Sequence, residues 1–190
     1  MTNKRVYSFA DGDGHDKKLL GGKGANLCEM TQIGINVPPG FVITTEACLD
    51  YLKEDKLPDG LMDAVQEEID KLEAATGRTF GRGDDPLLVS VRSGSAMSMP
   101  GMMDTILNLG LNVDTLEGLI QQTGDERFAY DAYRRLINMF GDVVMDLDHH
   151  LFEQTFDNVK KKYKVVLDTD VSAEGLNILC EDYKALFKKH

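Results

Sequence analysis

The chain has 190 residues, 42% hydrophobic and 28% charged, and its 32 acidic against 21 basic side chains give a formal charge of −11. That balance predicts a globular, water-soluble protein of one domain or two small ones, and it disfavours nucleic acid as a partner, because a phosphate backbone demands a net positive face. No apolar run reaches the roughly 20 residues that span a bilayer, so no membrane is expected.

The first residues, MTNKRVYSFADGDG, lack the apolar stretch of a secretory signal. Cys28, Cys48 and Cys180 are odd in number and form no CxxC pair, which argues against a disulfide framework or a zinc site and for a reducing, cytoplasmic setting. An acidic chain can still bind a small phosphorylated ligand. It must do so through local cations and oriented backbone dipoles, so an isolated Lys or Arg beside a glycine loop gains weight.

In chain order, Val6 to Phe9 is a predicted strand, ended by the turn residues Asp11-Gly12-Asp13-Gly14. Leu27, Met30 and Ile33 recur at threes and predict a helix over 24–33, closed by Gly34. Val37-Pro38-Pro39-Gly40 forces an extended or turning backbone, and Phe41 to Thr44 reads as a second strand. Thr45 and Glu46 start a helix that carries Leu49 and Leu52. Leu61, Val65, Ile69 and Leu72 mark one face of the next, which stops near Gly77. A loop over 81–86 leads into a strand over 87–92.

Beyond Asn112 the pattern is helical throughout. Three apolar stripes follow: Ala129, Tyr133, Leu136, Phe140 and Val143; then Phe152, Phe156, Val159 and Tyr163; then Leu176, Leu179, Cys180, Tyr183 and Phe187. The expected fold class is therefore α+β. Residues 1–112 form a mixed subdomain, and 113–190 a mostly helical one. The last stripe runs almost to His190 without a capping glycine, which reads as a piece of a longer protein.

The richest segment is SVRSGSAMSMPGMMDTILNLGLN, residues 90–112, where a strand delivers Arg92 into a loop of Ser, Gly, Met and Pro. Four of the nine methionines fall within 97–103. Small residues expose backbone N–H groups to an anion, and thioethers offer a soft surface to a flat ring, so the loop suits a nucleotide. Gly21-Gly22-Lys23-Gly24 places a lysine among glycines at a helix start, where anions are favoured. This is not a Walker A loop, because Lys17 stands where its first glycine belongs and Gly24 where its Ser/Thr belongs. Each feature has a plainer reading: a tight turn for the glycines, an Asp104 partner for Arg92, and gap-filling for the methionines.

The Asp11–Asp16 run lacks the glycine and glutamate positions of a calcium loop, and the adjacent His149 and His150 point to different helix faces. No catalytic acid, base or nucleophile arrangement is recognisable, and no metal-ligand set is expected among these residues.

With Lys23, Arg92 and the methionine loop in view, the chain closely resembles the N-terminal part of the pyruvate phosphate dikinase family over residues 6–190. LLGGKGANLCEMTQIG, VPPGFVITTEAC, DPLLVSVRSG, SMPGMMDTILNLGLN and RFAYDAYRRLINMFGDVVM carry the resemblance. Phosphoenolpyruvate synthases and other water dikinases share a KGANL-like start and an arginine at the place of Arg92, but not SMPGMMDTILNLGLN.

The resemblance implies a partial ATP-grasp nucleotide-binding domain. The family's enzyme converts ATP, phosphate and pyruvate to AMP, pyrophosphate and phosphoenolpyruvate through a phosphohistidine, with magnesium. On that pattern Lys23 and Arg92 grip the triphosphate, and the loop around Gly101, Met103 and Thr105 closes over it. The magnesium ligands, the phosphohistidine domain and the pyruvate barrel would lie beyond residue 190, since none of His15, His149, His150 and His190 stands in the carrier's Thr-Ser-His context. The implied partners are ATP or AMP, those further domains, and a second copy in a homodimer. The piece alone would be inactive. The alternatives are a water dikinase and a free-standing nucleotide-binding or interaction module.

Overall fold

A computed structural model describes residues 4–94 and 104–189. The chain is α+β, with seven α-helices and three two-stranded sheets among the described residues. By packing these residues fall into two compact units: 4–78 with 93–94, and 79–92 with 104–189.

In the first unit β1 (Val6–Ser8) pairs antiparallel with β2 (Phe41–Ile43), in the register Val6↔Ile43, Tyr7↔Val42 and Ser8↔Phe41. Three helices accompany them: α1 (Lys17–Gln32), α2 (Thr45–Glu54) and α3 (Leu61–Thr76). Local chemistry accounts for their ends. The Asp16 carboxylate accepts from the Leu19 N–H, the Thr44 hydroxyl accepts from the Ala47 N–H, and Gly77 closes α3 at φ 70°.

α2 and α3 are where the sequence placed them, whereas α1 starts at Lys17 rather than at the expected residue 24; α1 and α2 also bury a different face. On α1 the buried residues are Leu20, Gly21, Gly24, Ala25 and Cys28, whereas Met30 and Ile33 are exposed, Ile33 at 68%. Gly24 explains this. A Cβ there would come within 2.9 Å of the Val42 side chain, so small residues let α1 approach β2 more closely than large ones could. On α2 only Ala47 is buried, against Val6 and Leu61. Leu49 and Leu52 lie about 200° and 140° around the helix from it, and are 64% and 72% exposed.

The second unit begins with a two-residue parallel pair, β3 (Thr79–Phe80) with β4 (Pro86–Leu87), where a plain loop was expected over 81–86. β5 (Val89–Arg92) and β6 (Thr105–Leu109) follow as an antiparallel pair. Then come α4 (Val113–Thr123), α5 (Glu126–Val143), α6 (His149–Tyr163) and α7 (Ala173–Phe187), with one 3₁₀ turn at Asp168–Asp170. Every described element after Asn112 is thus helical. Composition divides the chain there, whereas packing groups residues 79–92 and 104–112 with the helices, because β6 packs on α5.

The predicted stripes meet in one core, except that Phe140 and Val143 of the first are exposed, while Ala132 and Ile137 are buried beside its other members. Ala129, Ala132, Tyr133, Leu136 and Ile137 of α5 pack with Phe152, Phe156 and Val159 of α6 and with Leu176, Leu179, Cys180 and Tyr183 of α7. The Phe152 and Tyr183 rings meet edge to face at 5.0 Å, and the Tyr183 hydroxyl donates to the Phe152 carbonyl at 3.2 Å. Asn112 caps α4 through a reciprocal box with Thr115, and its amide also donates to the Gly81 carbonyl at 2.7 Å. No helix among the described residues is long and apolar enough to cross a membrane.

Gly118 on α4 lies against the backbone of Asp84, where a Cβ would meet the Asp84 Cα at 2.7 Å. Backbone cannot swing aside as a side chain can. Gly118→Ala should therefore cost about 1–3 kcal/mol, read from urea denaturation; parental stability would contradict this packing.

Burial raises the Cys180 thiol from its ordinary 9.0 to about 12 and the Tyr183 hydroxyl from 10.0 to about 12. Both groups hold their protons more tightly folded than unfolded. Their contribution is intact below the unfolded values and is lost as pH rises through the folded ones. Denaturation midpoints should fall between about pH 9 and about 12, and Tyr183→Phe should flatten part of that fall.

Candidate nucleotide site

The glycines around Lys23 have separable structural reasons. Gly21 has φ 69° and ψ 163°, a non-helical conformation that interrupts α1. Only glycine adopts that region without strain, so the helix effectively restarts just before Lys23. Gly24 is there for the approach to Val42. The Lys23 side chain is half-buried, and its ammonium donates to the Ser93 carbonyl at 3.3 Å within the same unit. The chain thus supplies a cation beside the start of a helical segment, where the backbone dipole favours an anion.

In the second unit Arg92 ends β5 and is exposed, and its partner across the ladder is Thr105. Directly opposed residues of an antiparallel pair share a face. The structure therefore places a guanidinium and a hydroxyl side by side at the ends of the two strands that bracket the methionine-rich segment. Gly101 and Met103, the other two expected ligand residues, lie outside the described residues.

The remaining sequence temptations have structural occupations. Asp13 accepts from the His15 N–H, Asp16 caps α1, and the Gln32 amide donates to the Phe9, Ala10 and Gly12 carbonyls, so the 11–16 run is a braced turn. His149 faces Asp142 at 3.2 Å, and His150 faces Glu153 at 3.0 Å. The Glu153 hydrogen bond, with Asp148 nearby, raises the His150 pKa. Among the described residues no group of three or more His, Cys, Asp or Glu side chains is arranged to hold a metal ion. Burial raises the Cys28 thiol too, and a thiol held protonated is a poor nucleophile.

Lys23 with its helix-start amides in the first unit, and Arg92 with Thr105 in the second, are each chemically suited to a phosphate group. Residues 17–76 match the family described as "Pyruvate phosphate dikinase, AMP/ATP-binding domain". The chain is also 52% identical over 179 residues to a pyruvate, phosphate dikinase of Entamoeba histolytica, an alignment covering 94% of this chain and 20% of that protein. Over nearly its whole length the chain is thus similar to the N-terminal part of pyruvate, phosphate dikinases. The Clostridium symbiosum dikinase is 50% identical over 187 residues, and the Giardia intestinalis one 46% over 193, each match covering 98% of this chain. The chain spans about a fifth of the length of these relatives. The GGKG and SMPGMMD segments thus belong to a chain that aligns almost end to end with part of these dikinases.

Sequence reasoning passed over the kink at Gly21, although two adjacent glycines inside a helical pattern are its signal. Gly21→Ala should lower stability by about 1–3 kcal/mol, because no other residue holds φ 69°, ψ 163° without strain. Thermal denaturation checks this, and an unchanged midpoint would show that the kink is dispensable.

Proposed function

We propose that this chain is the opening part of the nucleotide-binding domain of a pyruvate phosphate dikinase, folded as a portion of an ATP-grasp domain. The complete polypeptide would convert ATP, phosphate and pyruvate to AMP, pyrophosphate and phosphoenolpyruvate. Near-50% identity sustained over 94–98% of the chain to proteins described as pyruvate, phosphate dikinase carries this reading.

In it, the planar Arg92 fork engages two phosphate oxygens, Lys23 adds a compact positive charge, and Thr105 adds a hydroxyl. Gly101 and Met103 complete the loop over the nucleotide. None of these residues is a base or nucleophile. Phosphoryl transfer relies on positioning and charge neutralisation, which such groups supply.

Magnesium would neutralise phosphate charge when bound, through oxygen ligands. We place its carboxylates, the phosphohistidine and the pyruvate site in the part of the relatives' length that this chain does not span, and derive no step through the metal. A homodimer and a cytoplasmic setting belong to the same proposal. The latter is supported by Cys28, Cys48 and Cys180, which are all free thiols.

In the complete gene product, Arg92→Lys should lower kcat/KM for ATP by about one to two orders of magnitude, since the ammonium cannot reproduce bidentate contacts. Formation of AMP and pyrophosphate should require phosphate, and sustained turnover should also require pyruvate, which discharges the phosphohistidine. Phosphoenolpyruvate formation without phosphate would select a water dikinase instead. The 190-residue chain alone should show no ATP/AMP–pyrophosphate exchange, and measured exchange would overturn its assignment as a part.

A further inference from the structure

We infer that Asn108 is a positioning residue that sets the register and face on which Arg92 and Thr105 present their side chains. The inference rests on the reading of Arg92 as a phosphate-binding cation.

The ladder between β5 and β6 is irregular. Val89 pairs with Leu109, Val91 with Ile106 and Arg92 with Thr105. Between the first two pairs β5 advances two residues and β6 three, so Leu107 and Asn108 together oppose Ser90. That is a bulge, and Asn108 supplies its conformation with φ 61°. Of the four non-glycine residues with positive φ among those described, Asn108 alone lies within a strand. Asparagine tolerates the left-handed region better than other side chains do. Its amide then donates to the Ala132 carbonyl of α5 at 3.2 Å, which ties the bulge to the core helix.

The consequence is geometric. Ile106 and Leu109 both pack against the helical core, although they are three residues apart and a regular strand would put them on opposite faces. The bulge absorbs the odd residue. Thr105, next to Ile106, then points to the other face together with its partner Arg92. Without the bulge, a ladder anchored at Val89↔Leu109 pairs Arg92 with Ile106 and turns Thr105 onto the core face. The guanidinium and the hydroxyl would no longer share a face.

The test compares ATP dissociation constants and thermal midpoints for variants of the complete gene product. Asn108→Val, which disfavours positive φ, should weaken ATP binding about tenfold, and Asn108→Gly, which accepts it, should stay within about threefold of the parent. On a background carrying both Arg92→Ala and Thr105→Val, Asn108→Val should cause no further loss, because both side chains it positions are gone. A purely structural role predicts equal losses for Val and Gly, or an additive loss on that double background, and either result overturns the inference. If Asn108→Val does not fold, Asn108→Ala against Asn108→Gly carries the same contrast. ATP binding unaffected by Arg92→Ala alone would instead remove the reading of Arg92, and this inference with it.

Discussion

The buried face of α5 is the surface on which the second unit is built. Ala129, Ala132, Tyr133, Leu136 and Ile137 are each at most 8% exposed, and they meet α7 on one side and β6 on the other. Fully burying one large apolar side chain contributes about 1.5–3 kcal/mol, so this helix supplies a large share of the unit's hydrophobic stabilisation. Gly141 permits the closest approach, since a Cβ there would meet the Phe152 and Phe187 rings. Arg134 completes the edge with a 2.8 Å ion pair to Asp131 and its guanidinium 4.9 Å from the Phe156 ring centroid. Because β6 rests on this helix, the strand that carries Thr105 inherits the rigidity of the core.

The first unit is organised by absence of bulk. Gly24, Ala25 and Cys28 bring α1 onto β2, and Gly12 packs against the Cys28 sulfur and the Leu20 side chain. Close backbone approach and a glycine-dependent kink put Lys23 at the start of a helical segment. The features we propose to bind phosphate thus arise from the same residues that satisfy packing. This explains how a chain of net charge −11 can offer a local positive site without a basic surface.

Much of this was legible from local pattern. Element type followed hydrophobic period, and Gly77 stops α3 as expected, whereas Gly124 stopping α4 at φ 65° and the side-chain caps Asp125, Asp148 and Ser172 emerge from the structure. The three helical stripes meet in one core, apart from the exposed Phe140 and Val143 at the end of the first. Arg92 and Thr105 were recognisable as chemistry-bearing residues, and the strand register made them neighbours. The period was least informative where residues are small. Leu27, Met30 and Ile33 marked a helix correctly, yet its inner face is Gly24, Ala25 and Cys28, because a close helix–strand contact selects for size rather than hydrophobicity.

By itself the sequence determined the kinds of elements and the resemblance to dikinases, since these depend on neighbours three or four residues away or on long shared motifs. Tertiary structure alone decided the buried faces of α1 and α2, the short parallel pair Thr79–Phe80 with Pro86–Leu87, and the bulge at Asn108. The physical reason is common to all three. Each depends on the distance between backbones remote in the chain: Gly24 from Val42, β3 from β4, and Asn108 from the Ala132 carbonyl.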